Sequence, residues 1–350
     1  MVEKKSFGRT KNGREVTSYT LRGAGGLVLE VLDWGGRVNR VVLPDGNKDV
    51  ALGFDSPAGW ENGDAYYGCL IGRYANRIGG GRFSIDGVEY VLKCNNFPGG
   101  IGCALHGSDG GWHDRIWDVE PFEQEDDVGL RLSLHSPDGE GGFPGAVDVV
   151  VTYTVTKENA WRIGYRVKAI DKATPVAMTQ HVYFNLKGES GGSVEDHTLE
   201  IAADRYAPYD ASQVPVGELA DVAGTPFDFR SPHLIGEHIN DDDEVLKNGR
   251  GYDHCWVFPS ADVRTMRFAA RLSHGDNKVE VWTDEPSIQV YTGNWIPDGY
   301  PAKGGDRFTP RCGIALETGA IPDSPNKPQF PNVVLRPGEV RESVTEFRFS

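Results

Sequence analysis

The feature that most constrains this chain is its recurrent short run of β-branched and aromatic residues, each stopped by a turn. "RFSIDGVEYVL" shows the unit: Arg82 to Ile85, then Asp86-Gly87, then Val88 to Leu92. Asp-Gly between two such runs signals a hairpin, because both central residues readily take positive φ. "VDVVVTYTV" (147–155), "WRIGYRVKAI" (161–170), "HTLEIAADRYAP" (197–208), "KVEVWTD" (278–284), "SIQVYTGNW" (287–295) and "SVTEFRFS" (343–350) repeat the pattern. Nowhere do apolar residues hold a 3.6-residue period for three turns, so no long helix is expected. The 45 glycines and 21 prolines supply the turns that such a chain needs. No fixed-period repeat or low-complexity linker divides it. The expectation is an all-β fold, a large antiparallel β-sandwich that takes residues 1–350 as a single domain. The Gly-rich patches at 99–111 and 188–193 are expected to be exposed loops.

Charge narrows the partners. A net charge of -15 disfavours nucleic acid, whose phosphates call for clustered Lys and Arg. It equally disfavours an anionic membrane surface. No run approaches the ~18 apolar residues of a membrane span. The opening "MVEKKSFGRTKNGREV" has no apolar stretch of the kind a secretory signal carries. Five scattered cysteines, Cys69, Cys94, Cys103, Cys255 and Cys312, form neither a disulfide framework nor a C-x-x-C knuckle. Reduced thiols in a cytoplasmic protein are expected, with Cys94 and Cys103 the one pair of interest. Open sheet edges allow a monomer or a homodimer.

Four segments hold residues suited to chemistry. In "AMTQHVYFNL" (177–186) strand alternation sets Thr179, His181, Tyr183 and Asn185 on one face, against Met178, Gln180, Val182, Phe184 and Leu186. A histidine there is either a hydrogen-bonded core residue or part of a polar, aromatic binding face. In "RCGIALETGAIPDSPN" (311–326) Glu317 ends an apolar strand, either as a solvated rim residue or as a partly buried base whose pKa desolvation raises. In "ALHGSDGGWHDRIWD" (104–118) the His106/His113 spacing matches no zinc motif. The acidic run "NDDDE" (240–244) lacks the ligand alternation of a calcium loop and reads as a solvated loop. "IGRYANRIGGGRF" (71–83) fits no nucleotide motif; Asn76 and Arg77 suit either hydroxyl recognition or a salt bridge.

In order along the chain, "GRYANRI", "ALHG", "TQHVYFNL", "GYDHCWVF", "QVYTGNW" and "ALETGAIPDSPN" resemble the galactose mutarotase (aldose 1-epimerase) family, covering residues 72 to 326. The resemblance implies a β-sandwich with a sugar groove on one sheet, and interconversion of the α and β anomers of free hexoses such as galactose and glucose. It implies Glu317 as general base, His181 as general acid and His106 as the second active-site histidine. Asn76, Arg77, Asp253 and Gln289 would contact hydroxyls, with Tyr183 beside them and Tyr291 and Trp295 sharing the face of the Gln289 strand. The implied partner is a monosaccharide, and no metal, nucleotide or redox cofactor is required. The carboxylate near His181 is expected to raise the imidazole above its ordinary ~6.5. Two departures from the family's pattern, "HGSDGG" and the longer "NNFPGGIGCALH", bear on the rim of the groove. A glycoside hydrolase would instead pair two carboxylates; a sugar-binding module would have no need of an acid and base; a hexose-phosphate relative would add a basic cluster.

Overall fold

A computed structural model describes residues 2–44, 48–63, 66–259 and 264–350. Two large sheets face each other. The first has nine strands, with Val147–Val155 and Ala160–Ala169 central and Val340–Phe349 beside them. The second has six, ordered Tyr183–Phe184, Ile314–Gly319, Ser287–Tyr291, Asp253–Val257, Arg205–Ala207, Ala220–Asp221. Neighbouring strands in both are antiparallel. The amino-terminal residues add a four-stranded sheet, Val2–Arg9 to Val38–Val42. The longest helix among the described residues is Glu244–Gly249, and no helix is long and apolar enough to cross a membrane.

Alternation explains both faces of the six-stranded sheet. Ile288, Val290, Ile314, Leu316, Trp256 and Phe184 point into a core shared with Val149, Val151, Ile163, Val281 and Phe347 of the larger sheet. The residues between them, Asp253, Gln289, Tyr291, Ala315 and Glu317, fall on the opposite face. Each core side chain gains about 1.5–3 kcal/mol from burial, so the register is strongly held. A one-residue slip would drive Glu317 and Gln289 into the core and Leu316 out of it.

The Asp-Gly hairpin forms as expected: Arg82–Ile85 pairs with Val88–Val91, with φ of 52° at Asp86 and 80° at Gly87. Several expectations are corrected. Residues 177–186 are not one strand: Thr179–Gln180 pairs with Leu70–Ile71, whereas Tyr183–Phe184 pairs with Ile314 and Ala315. His181 sits at the crossing, its N–H donating to Cys69 O and its carbonyl accepting from Gly68 N, each at 2.9 Å. Residues 197–208 also divide, Thr198–Ile201 joining the larger sheet and Arg205–Ala207 the smaller. The patch at 99–111 is not all exposed; Cys103, Ala104, His106 and Ser108 are buried. In the acidic run, Asp243 caps the helix Glu244–Gly249 by accepting from Val245 N and Leu246 N, so its role is structural as well as solvated. All five cysteines are free.

Candidate active site

The outer face of the six-stranded sheet floors a cleft of about 350 Å³. Glu317 and His181 meet in it. His181 Nε2 lies 3.6 Å from Glu317 Oε1, with both side chains 5% exposed. The His106 ring is 5.2 Å from that of His181, and Tyr66 packs against both, at 4.6 and 6.1 Å. Tyr183 flanks His181 at 4.9 Å.

His106 is placed by a short ladder. Cys103–Leu105 pairs with Arg77–Gly79, and at its end His106 N–H donates to Asn76 O while Asn76 N–H donates to His106 Nδ1 at 3.2 Å. Asn76 and His106 both take left-handed φ, 61° and 51°, a cost that non-glycine residues bear where surrounding structure imposes it. Because Nδ1 accepts, the neutral ring carries its proton on Nε2. That decides how the trio His106, His181 and Glu317 is read: their ligand atoms lie within 4.8 Å of one another, close enough for a metal. A ring protonated on Nε2, with Nδ1 already engaged, has no lone pair to coordinate with, so the donor set suits proton transfer better than coordination.

Arg77 extends along the cleft, its Nε donating to Asn96 Oδ1 at 2.9 Å and Nη1 standing 3.5 Å from Asp253 Oδ2. Asp253 also accepts from Gln289 Nε2 at 2.6 Å, and Gln289 Oε1 accepts from Tyr209 Oη at 2.7 Å. Gln289 therefore sits behind Asp253 as its orienting neighbour, with both amide atoms engaged, rather than as a direct lining residue. Trp295 is not on the Gln289 strand, which ends at Tyr291. It stands at the rim, 53% exposed, with the Arg250 guanidinium 3.9 Å over its ring and its backbone N–H donating to Tyr291 Oη. Asn185 and Thr179 are corrected as well. Asn185 is fully buried and donates to Gly192 O and Cys312 O, and Thr179 is buried outside the cleft lining.

The aldose 1-epimerase family model matches residues 17–348. The chain belongs to the aldose 1-epimerase family. It is 36% identical to the galactose mutarotase of Rattus norvegicus over 100% of this chain and 98% of that one. It is 38% identical to the aldose 1-epimerase of Escherichia coli (strain K12), over 97% and 96% respectively. The crystal structure of galactose 1-epimerase from Lactobacillus acidophilus superposes with a TM-score of 0.86 at 28% identity, covering 100% of this chain and 98% of that one.

Within this cleft, sequence reasoning passed over Tyr66, Phe97 and Gln213, which also line it. Tyr66 lies in "AYYGC", where nothing local separates a binding tyrosine from a core one. Phe97, 61% exposed, lies in "NNFPGGIGCALH", whose departure from the family's pattern was the one signal available in the sequence.

Electrostatics correct the expectation for His181. Burial pushes its imidazole down to about 4, with Asp253 pulling weakly the other way. Burial also holds His106 well below its ordinary range, aided by the neighbouring His181 and Arg77, and brings His113, His197 and His254 to about 4. These shifts carry a stability consequence. Between pH 6.5 and about 4 the unfolded chain binds protons at these five rings and the folded chain does not, so stability is fully present above 6.5 and drains as pH falls through the window. Glu189, pushed up to about 7 by burial, acts in the opposite sense, as do Asp33 and Asp323, whose carboxyls burial also raises, three groups against five. The thermal midpoint is expected to drop by several degrees between pH 6.5 and 4.5, read by circular dichroism melts. A midpoint flat across that window would show that the rings take up protons inside the fold.

Proposed function

We propose that the cleft interconverts the α and β anomers of a free hexose such as galactose or glucose, with Glu317 as base and His181 as acid. The observation that carries this reading is the 3.6 Å approach of His181 Nε2 to Glu317 Oε1 in a buried cleft. Ring opening must take the proton from O1 and give one to O5, and both oxygens sit on the same carbon. An acid and a base serving them must therefore stand next to one another. Two carboxylates about 5–9.5 Å apart would instead suit glycoside hydrolysis.

Glu317 removes the O1 proton as His181 protonates O5, and the C1–O5 bond breaks to give the aldehyde. Rotation about C1–C2 presents the other face, and the same pair runs in reverse to close the ring. Paired transfer avoids both a free alkoxide and an oxonium. His106, protonated on Nε2, donates a hydrogen bond to the sugar. Arg77 and Asp253 hold hydroxyls, Asn76 positions His106 and presents its amide, and Gln289 keeps Asp253 aimed. Tyr183 and Trp295 supply apolar surface for the C–H face of the ring. Every one of these groups comes from one chain, so the reading requires no second copy. Five free thiols suit a reducing cytoplasmic setting.

Polarimetry of freshly dissolved α-galactose and α-glucose tests the reading, with acceleration over the spontaneous drift expected for at least one of them. Sugar binding without acceleration would favour a lectin-like protein and overturn it. Arg77→Lys offers a narrower test. Lysine keeps the charge beside Asp253 and loses the planar fork, so KM is expected to rise about tenfold or more with kcat changed much less. A fall in kcat at constant KM would place Arg77 in the chemistry instead.

A further inference from the structure

We propose that Gln213 is a sugar-recognition residue of this site, reading the C3–C4 edge of the hexose and so biasing the choice between C4 epimers. The inference rests on the reading that Glu317 and His181 act at C1.

Gln213 lines the cleft and is only 3% exposed, yet neither its Oε1 nor its Nε2 has a hydrogen-bond partner. An amide buried without partners loses its water contacts and regains nothing within the protein. Its backbone carries a second cost, a left-handed φ of 58°. The loop itself needs little from the side chain. Gln213 N–H donates to Asp210 O, Asp210 N–H to Val214 O, and the Ser212 N–H to Asp210 Oδ1. A glycine would satisfy all of that with less strain. What the side chain adds is one acceptor and two donors, unpartnered and set in the wall of the cleft that takes the sugar in this reading.

Position along the sheet says which hydroxyls. The strand after His181 is at one edge, Glu317 is on the next, and Asp253 lies two strands further on. Gln213 belongs to the loop joining Arg205–Ala207 to Ala220–Asp221, at the opposite edge. It reaches back beside Asp253: a Cβ built on Gly249 would lie 3.7 Å from Asp253 Cβ and 3.8 Å from Gln213 Oε1. With strands about 4.8 Å apart, a pyranose whose C1 and O5 sit over the His181–Glu317 end presents C3 and C4 toward Asp253 and Gln213. A carboxamide can accept from one hydroxyl of a vicinal diol and donate to the next, and the direction of the C4 hydroxyl is what separates C4 epimers.

Gln213→Gly and Gln213→Asn test this, the second because asparagine tolerates left-handed φ and retains an amide one methylene shorter. Affinities are measured by calorimetry, independent of turnover, for glucose, galactose and the 2-, 3- and 4-deoxy analogues of glucose. Gln213→Gly is expected to raise the thermal midpoint by a few degrees, since it removes strain and an unpaired amide. It is also expected to weaken glucose or galactose binding by about 10- to 100-fold, as loss of one or two hydroxyl contacts does. That penalty should shrink for the 3-deoxy or 4-deoxy sugar, persist in full for the 2-deoxy sugar, and be smaller in Gln213→Asn. Equal penalties across all analogues, or none for any, would overturn the proposal. A parent protein that binds sugar without anomerising it sinks the reading of Glu317 and His181, while the affinities still decide Gln213.

Discussion

Glu317→Gln lowers kcat for anomerisation by about 10²- to 10⁴-fold and leaves KM within a few-fold, the expected signature of a lost base. The substitution is close to isosteric. Glutamine keeps the length that brings Glu317 to within 3.6 Å of His181 Nε2. What it cannot do is accept the O1 proton at any pH in use. Glu317→Asp makes the complementary change: the base remains but retreats by one methylene from a strand that cannot follow, because Leu316 and Ile314 anchor it in the core. Its rate should fall between those of the parent and Glu317→Gln. Polarimetric progress curves measure both variants above the spontaneous drift. A Glu317→Gln protein that retained more than about a tenth of the parent rate would assign the base elsewhere.

The strand that delivers Glu317 was legible in the sequence because alternation is a local property. In "GIALETG" the apolar and polar residues separate by parity, and parity alone tells core from cleft. The same logic located Val147–Val155 residue for residue. Parity does not identify the neighbouring strand, and this is where the reading failed. "AMTQHVYFNL" alternates as one strand would, yet Thr179–Gln180 and Tyr183–Phe184 have partners 243 residues or more apart, Leu70–Ile71 and Ile314–Ala315. The chain changes sheets at His181, so Asn185 ends in the protein interior instead of beside Tyr183. Resemblance to a family brought His106, Arg77 and Asp253 together, which no periodicity in "ALHG" or "GYDHCWVF" could have done. Gln213 carried no signal of either kind, since its distinguishing features are a left-handed backbone and an amide without partners, and both exist only in the folded chain.

His181→Asn is expected to lower kcat/KM by about 10²- to 10⁴-fold and, more tellingly, to abolish the alkaline limb of its pH profile. The sign follows from burial. Desolvation makes the imidazolium costly and brings the ring to about 4 in the unliganded protein, below the ordinary 6.5. A proton on such a ring is present below its pKa and lost as pH rises through it, so a donor of this kind loses activity toward alkaline pH, from a point lower than an unperturbed histidine would. The proposed mechanism needs that proton on His181 while Glu317, 3.6 Å away, stays free to take another from O1. Burial thus exchanges abundance for strength: fewer rings are protonated at neutral pH, but each is a stronger acid toward O5, an oxygen with little affinity for a proton. Rate profiles from pH 5 to 9 for the parent, Glu317→Gln and His181→Asn separate the contributions. In the parent, kcat/KM should fall about tenfold per pH unit on the alkaline side. Asparagine does not titrate there, so its residual rate should be flat over the same range. A His181→Asn protein that kept the parent's alkaline slope would show that the proton comes from another group, and the pairing of His181 with O5 would have to be abandoned.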